Sequence, residues 1–162
     1  MSQSGPIMEK PLSALILDDD ETFLKTLSLY TEKIGIEHVD TFVTADDVWQ
    51  NIKGKSYDVL FLDWKLPGEL SGLALFNRLR RSPEFSLVPI LVVSGFVEQD
   101  DFRLLKEFPC TDLLEKPFQF QTFEEKVNTL WGEHTWYRDN VNRIKKILNQ
   151  SDNDIEKALL KF

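Results

Sequence analysis

The sequence predicts an α/β fold, a doubly wound five-stranded parallel sheet with helices on both faces, followed by a C-terminal helical extension. Two observations support this prediction. Short apolar runs alternate five times with amphipathic helical patterns, as expected when crossover helices join parallel strands. The strongest runs are continuously apolar, which is typical of strands buried on both faces. The 162 residues suffice for one such domain and a short appendage.

Five segments are predicted as strands. Three are apolar runs bounded by acids, glycine or proline, and the second and fifth along the chain are weaker. Their ranges are 14–17, 36–42, 59–62, 89–93 and 112–114. In a parallel sheet the functional groups gather beyond the carboxyl ends of the strands. The residues that follow each run are therefore the first candidates for a site.

Five helices are predicted between and after these strands, over residues 22–34, 45–53, 71–80, 98–108 and 119–131. The first has Phe23, Leu27, Tyr30 and Ile34 on one face, at the spacing of an apolar helix stripe. Thr44 stands at the cap position of the second helix, whose first turn is acidic. Each helix can therefore cover one face of the sheet.

Composition excludes several classes of protein. The formal net charge is −8, and residues 131–162 carry six basic against five acidic residues, so the predicted domain is strongly acidic and we expect no nucleic-acid binding. No apolar run approaches the roughly 20 residues of a membrane span, and the run at 12–17 is too short for a signal peptide. The single cysteine excludes an internal disulfide. We expect a cytoplasmic protein without a membrane anchor.

Polar side chains follow four of the predicted strands. Asp18 and Asp19 follow the first, Asp63 the third, Ser94 the fourth and Lys116 the fifth. Clustered carboxylates repel one another unless a cation lies among them, and oxygen ligands favour Mg²⁺. A lysine cannot bind a metal, but it suits an anion beside one. Together these groups predict a phosphoryl-transfer site.

Two families use this chemistry on this kind of sheet. The pattern Asp18-x-Asp20-x-Thr22 resembles the motif of haloacid dehalogenase-like phosphatases, in which the first aspartate is the nucleophile and the second the acid/base. That interpretation leaves Asp63 without a role. It also lacks an acidic pair after a further strand, because Glu124 and Glu125 lie in a helical pattern.

Residues 10–131 resemble the receiver domain of two-component response regulators (CheY-like). The resemblance is carried by four motifs in order, LILDDDE, YDVLFLDWKLPGELSGLALFNRLR, VPILVVSG and LLEKPF. The spacings are 44 residues from Asp19 to Asp63, 31 from Asp63 to Ser94 and 22 from Ser94 to Lys116. Four motifs in order are far more specific than one.

The resemblance implies a flavodoxin-like receiver fold with Asp63 as the phosphoacceptor. Mg²⁺ would be held by Asp18, Asp19, Asp63 and the backbone carbonyl of Lys65. Ser94 would hydrogen-bond a phosphoryl oxygen and Lys116 would pair with Asp63, while Asp20 becomes a helix-start acid. The implied partners are a histidine kinase or phosphotransfer protein and a downstream protein target. Such a protein modifies itself and is not an enzyme in the turnover sense.

Several positions depart from the family pattern or stay open. Leu113 replaces the aromatic residue that receivers commonly carry three positions before the lysine, which leaves open whether the usual rotamer switch operates. Lys65 and Phe96 flank the site and could restrict water, which predicts a long-lived phosphoryl group. Trp64 either packs or shields the site. Cys110 and His38 are interpreted as structural.

The division predicted from the sequence is a receiver over 10–131 and a helical extension over 132–162. Tyr137, Val141, Ile144 and Leu148 form one apolar stripe, and a last helix is predicted after a cap at Ser151, with apolar residues Ile155, Leu159 and Phe162. The extension could fold back on the receiver, or it could bind a partner or a second copy of the chain. A homodimer could also form through the last face of the sheet. A phosphorylation-independent scaffold, and the receiver part of a larger regulator with a DNA-binding output, stay open as alternatives.

Overall fold

The computed structural model describes residues 10–148, and in this range a single five-stranded parallel sheet carries five helices. The strands are β1 (Ser13–Leu17), β2 (His38–Phe42), β3 (Val59–Leu62), β4 (Ile90–Ser94) and β5 (Thr111–Glu115). The helices are α1 (Glu21–Lys33), α2 (Ala45–Asn51), α3 (Gly72–Arg81), α4 (Gln99–Lys106) and α5 (Phe120–Leu148). The strand order is β2-β1-β3-β4-β5, with every pair parallel. The predicted fold class is confirmed.

The sheet separates two hydrophobic cores, because successive strand side chains point to opposite faces. In β1, for example, Leu15 packs with Phe76 of α3 in one core, and Ile16 packs with Leu27 of α1 and Phe123 of α5 in the other. The three central strands are therefore buried on both faces, as their continuous apolar sequences predict. The carboxyl ends of all strands meet at one edge of the sheet.

Side-chain caps begin α1, α2 and α3, which all leave this edge. Asp20 accepts a hydrogen bond from the backbone N–H of Thr22 at the start of α1. Thr44, the predicted cap of α2, accepts one from Asp47, and Ser71 accepts one from Ala74 at the start of α3. Each cap satisfies a backbone donor that has no partner within its helix.

A buried arginine ties α3 to the amino-terminal ends of β4 and β5. The guanidinium of Arg80 donates hydrogen bonds to four backbone carbonyls and one hydroxyl. The acceptors are Phe85 O (2.9 Å), Ser86 O (3.3 Å), Val88 O (2.7 Å), Cys110 O (2.9 Å) and Thr111 Oγ1 (2.7 Å). Burial lowers the pKa of Arg80 to about 10, so the group stays charged at neutral pH. One side chain thereby holds the α3–β4 loop and the start of β5 together.

Helix α5 is continuous over 29 residues and crosses the predicted boundary at residue 131 without a break. Just beyond that boundary it still contacts the body of the domain. Glu133 Oε1 accepts a hydrogen bond from Cys110 N at 3.0 Å, and His134 Nδ1 lies 2.9 Å from Leu87 O. The helix predicted after Ser151 lies outside the described residues. None of the helices in the described part of the chain has the length and apolar character needed to cross a bilayer.

Candidate functional site

Three carboxylates meet at the carboxyl edge of the sheet. Asp18 follows β1 and Asp63 follows β3, and both residues are buried, with exposed fractions of 1% and 5%. Asp19 is exposed beside them. One carboxylate oxygen from each of the three residues lies within 4.8 Å of the other two. The structure therefore brings together the acids that the sequence placed after two different strands.

Backbone hydrogen bonds that continue the sheet fix the positions of these acids. Asp63 N donates to Leu17 O at 2.9 Å, so the residue after β3 is held against the end of β1. Asp18 Oδ1 accepts from Asp20 N at 2.9 Å. Asp20 itself is exposed and caps α1, so it is the helix-start acid that the receiver resemblance implies. The phosphatase interpretation would need it as a proton donor.

A lysine and a serine complete the site from β4 and β5. Lys116 Nζ lies 2.6 Å from Asp18 Oδ2 and 3.3 Å from Asp63 Oδ2. Its backbone N donates to Ser94 O at 2.9 Å, which places the ends of β4 and β5 side by side. The hydroxyl of Ser94 is buried and donates to Phe96 O at 3.3 Å. All five predicted side chains of the site thus converge on one edge.

The electrostatics of the cluster favour binding a cation. Burial, and then the neighbouring charge of Asp18, raise the pKa of Asp63 above its ordinary value, although Lys116 opposes the shift. For Lys116, burial alone would lower the pKa, but the hydrogen bonds and charges of Asp18 and Asp63 outweigh it and raise the pKa. Lys116 therefore stays protonated but leaves part of the negative charge uncompensated. The donor set of three hard oxygens, two of them buried, fits Mg²⁺.

The metal-free site is expected to cost the protein stability at neutral pH. Because the folded-state pKa of Asp63 is raised, its ionisation disfavours the folded state as the pH rises through that value. Asp63→Asn should therefore have a higher melting temperature than the wild type at pH 7 in EDTA, with a difference that shrinks toward pH 4. Melting curves over this pH range test the point, and a difference independent of pH would contradict it.

Two side chains beside the site, each two residues after a site residue, contact each other. Lys65 Nζ lies 4.4 Å from the centroid of the Phe96 ring, at the distance of a cation–π contact. Lys65 is exposed, and Phe96 is 59% exposed although it is a large apolar residue. The sequence placed both residues beside the site, and the structure adds that they contact each other.

The structure shows where the residues left open by the sequence lie. Trp64 is buried, 5.7 Å from the ring of Phe76, so it packs in the core below the site and does not cover it. His38 begins β2, at the end opposite the acids. Cys110 is buried before β5, and burial raises its pKa to about 11. Leu113 is buried on β5. His38 thus lies away from the acids, as its place in the sequence predicted, and the structural roles of His38 and Cys110 stay predictions.

Gly72 allows α3 to begin directly against the acidic edge. A Cβ at this position would lie 2.1 Å from Asp63 O and 2.7 Å from Trp64 O. Both contacts are to backbone, so no side chain can move aside. The close approach is what places the loop after β3 between the sheet and α3. Gly72 lies in the long motif quoted above, but the sequence did not reveal this contact.

One further ring near the site was not predicted to have a role there. Phe23, in the first turn of α1, has its ring centroid 4.1 Å from Lys116 Nζ. The sequence analysis placed Phe23 only on the apolar face of a helix. Its position one turn after the acids was the one available signal.

A family model for the response regulator receiver domain matches residues 14–128. The chain belongs to this family. This receiver is 30% identical over 115 residues to the phosphate regulon transcriptional regulatory protein PhoB of Rhizobium meliloti (strain 1021), covering 71% of the chain and 50% of PhoB. It is 26% identical over 125 residues to the polar-differentiation response regulator DivK of Brucella anthropi, covering 76% of the chain and 98% of DivK. The chain thus spans half of one relative's length and nearly all of another's.

Solved structures support the same fold. The receiver domain (CheY-like) of Methylobacillus flagellatus is 27% identical, with a TM-score of 0.62 over 75% of this chain and 99% of that chain. The receiver domain of the sensor histidine kinase PA1611 of Pseudomonas aeruginosa PAO1 is 18% identical, with a TM-score of 0.65 over 76% and 99% of the two chains. That protein holds a magnesium ion in its active-site cleft. These comparisons favour two-component signalling over the phosphatase alternative.

Proposed function

We propose that this receiver accepts a phosphoryl group on Asp63 from a phosphohistidine of a histidine kinase or phosphotransfer protein. The observation that carries the proposal is the placement of the buried Asp63 carboxylate. It lies 3.3 Å from the ammonium of Lys116 and within 4.8 Å of two further carboxylates. A nucleophile, a cation and a metal-binding acid cluster therefore share one edge of the sheet.

In this reaction an oxygen of Asp63 attacks phosphorus, and a new O–P bond forms. The P–N bond to the donor imidazole breaks, and its electron pair leaves with the nitrogen, which takes up a proton. Lys116 turns from the two carboxylates toward a phosphoryl oxygen, and the hydroxyl of Ser94 leaves Phe96 O to donate to another. Asp18, Asp19, Asp63 and the backbone carbonyl of Lys65 would hold Mg²⁺, which would supply positive charge to offset that of the phosphoryl oxygens.

The product of this step stays attached to the protein. Receiver domains are phosphoacceptor signalling modules. We propose that this chain carries a single phosphoryl group and is not a turnover catalyst. Its own slow hydrolysis of the acyl phosphate would return Asp63 to the free carboxylate. The lifetime of the phosphoryl group then sets the duration of the signal.

The test is intact mass after incubation with Mg²⁺ and acetyl phosphate. Wild type should gain the mass of one phosphoryl group, and Asp63→Asn should gain none. Asp20→Asn is the matched control, because Asp20 is an exposed cap of α1 and asparagine also caps a helix. A wild type that stays unmodified with acetyl phosphate and with a phosphorylated histidine donor would support a phosphorylation-independent scaffold. Steady phosphate release from many phosphoesters would revive the phosphatase alternative.

We further propose that Lys65 and Phe96 prolong the life of the phosphoryl group by restricting water at the mouth of the site. Lys65→Ala and Phe96→Ala should each shorten the half-life several-fold, and the double variant should add little, because either change breaks the same contact. The half-life is followed by mass after removal of the donor.

The control for this prediction is Phe102→Ala. Lys106 Nζ lies 4.4 Å from the Phe102 ring, so this variant removes an equal contact from the surface of α4. Its half-life should match the wild type. A half-life shortened by neither Lys65→Ala nor Phe96→Ala refutes the proposal.

We propose that the signal leaves through protein contacts, with a downstream target or a second copy of the chain. A groove of about 600 Å³ lies beside β5 and is lined by side chains of α4, β5 and α5, including Phe102, Leu113 and Lys126. The helical extension over 132–162 is the other proposed surface for a homodimer. Size-exclusion chromatography before and after phosphorylation tests dimerisation. Comparison with the full reading frame tests the alternative of a longer, DNA-binding regulator.

A further inference from the structure

Lys116 is covered on one side by an aromatic ring that no motif of the site includes. The centroid of Phe23 lies 4.1 Å from Nζ, while Asp18 Oδ2 and Asp63 Oδ2 accept from the ammonium at 2.6 and 3.3 Å. An ammonium has three N–H donors, and the two carboxylates take two of them. The ring face, which carries negative quadrupole charge, lies where water would otherwise solvate the third. The side chain of Lys116 is accordingly only 11% exposed.

The ring is itself fixed from two directions. Phe23 lies in the first turn of α1, directly after the loop in which Asp18 bonds the backbone of Asp20. The ring of Phe118, two residues after Lys116, has its centroid 6.3 Å from that of Phe23. Phe118 also contacts Tyr30 and Phe123, so the pair belongs to the aromatic packing between α1 and α5. The position of the ring is therefore coupled to both the acid loop and the lysine turn.

We propose that Phe23 is a positioning residue for Lys116, a role that rests on the phosphoryl transfer proposed above. A hydrogen bond fixes the direction of an ammonium, whereas a ring face attracts it without fixing its rotation. Phe23 thus keeps the ammonium at the site while its N–H groups turn from the carboxylates to the oxygens of the incoming phosphoryl group. In that step the O–P bond to Asp63 forms, and the donor's own bond to phosphorus breaks with its electron pair.

The experiment compares three variants with the wild type. Phe23→Leu keeps an apolar side chain but removes the ring, and Phe23→Tyr keeps the ring. Phe120→Leu is the matched control, because Lys33 Nζ also lies 4.1 Å from the Phe120 ring. Phe120 belongs to the same aromatic packing, but Lys33 lies outside the site. Phosphorylation by acetyl phosphate should be about tenfold slower in Phe23→Leu and near the wild-type rate in the other two.

A second measurement does not depend on phosphorylation. Amine labelling of the folded protein, read by peptide mass, should show Lys116 reacting several-fold faster in Phe23→Leu than in wild type, Phe23→Tyr or Phe120→Leu. Unchanged labelling of Lys116 overturns the inference, as does equal slowing by Phe23→Leu and Phe120→Leu. If the wild type takes up no phosphoryl group, the proposed function fails, and the labelling alone decides the role of Phe23.

Discussion

Replacing Arg80 by methionine is expected to lower the free energy of unfolding by about 3–5 kcal/mol. The guanidinium is the donor for four backbone carbonyls, among them those of Val88 and Cys110, and methionine can donate to none of them. Each buried carbonyl left without a partner costs about 1–3 kcal/mol, partly offset because the cost of burying a charge disappears. Urea unfolding followed by tryptophan fluorescence measures the change.

The control is Arg81→Met, at the neighbouring exposed arginine of α3. It should change the free energy of unfolding by no more than about 0.5 kcal/mol. Arg80→Lys keeps the charge with fewer donors, and it should fall between the wild type and Arg80→Met. Equal stability of Arg80→Met and Arg81→Met would show that the carbonyls find other partners.

Gly72→Ala is expected to damage both the fold and the site. The added Cβ would lie 2.1 Å from Asp63 O, so either α3 or the phosphoacceptor loop must move. Forced overpacking costs about 1–3 kcal/mol, and a displacement of about 1 Å at a reacting group can slow a reaction about 100-fold. The initial rate of phosphorylation by acetyl phosphate, with the melting temperature of the same sample, measures both effects.

Gly132→Ala is the matched substitution, and its expected effect on stability has the opposite sign. Gly132 is exposed in the interior of α5, and beyond its neighbours in the helix no atom of the described residues lies within 4 Å of a Cβ built there. Alanine should stabilise the helix by about 1 kcal/mol and leave the phosphorylation rate unchanged. A Gly72→Ala protein that phosphorylates at the wild-type rate would show that the loop relaxes without disturbing Asp63.

Most of the sheet could be predicted because its strands are continuous apolar runs. The boundaries at Val59 and Leu62 agree with the structure, whereas the predicted second strand began two residues early. There the apolar Ile36 suggested strand, but its N–H bonds back to Thr31 O, and the residue belongs to the turn after α1. The fifth helix was predicted to end at residue 131, before Gly132, but α5 continues to Leu148. Contacts of Glu133 and His134 with the domain body favour the helix beyond it, and such long-range contacts leave no local pattern.

The acids, serine and lysine of the site could be predicted because they stand directly after strands, at positions that topology brings together. Arg80 could not be distinguished from its neighbours Arg78 and Arg81, which also lie in the last turn of α3. Its burial depends on the turn before β4 and on the start of β5, which lies 30 residues further along the chain. The same holds for Phe23, whose contact with Lys116 joins two distant parts of the sequence.

The continuity of α5 gives the receiver a lever arm. His134 bonds the domain at Leu87, and the 14 residues from there to Leu148 extend about 21 Å along the helix axis at about 1.5 Å per residue. The contacts at Glu133 and His134 are the point about which the helix would pivot. A tilt of about 5° between α5 and the sheet would swing the far end by about 2 Å, the scale of helix shifts in switching transitions. A rearrangement too small to alter the domain's own packing would thus be magnified at residue 148.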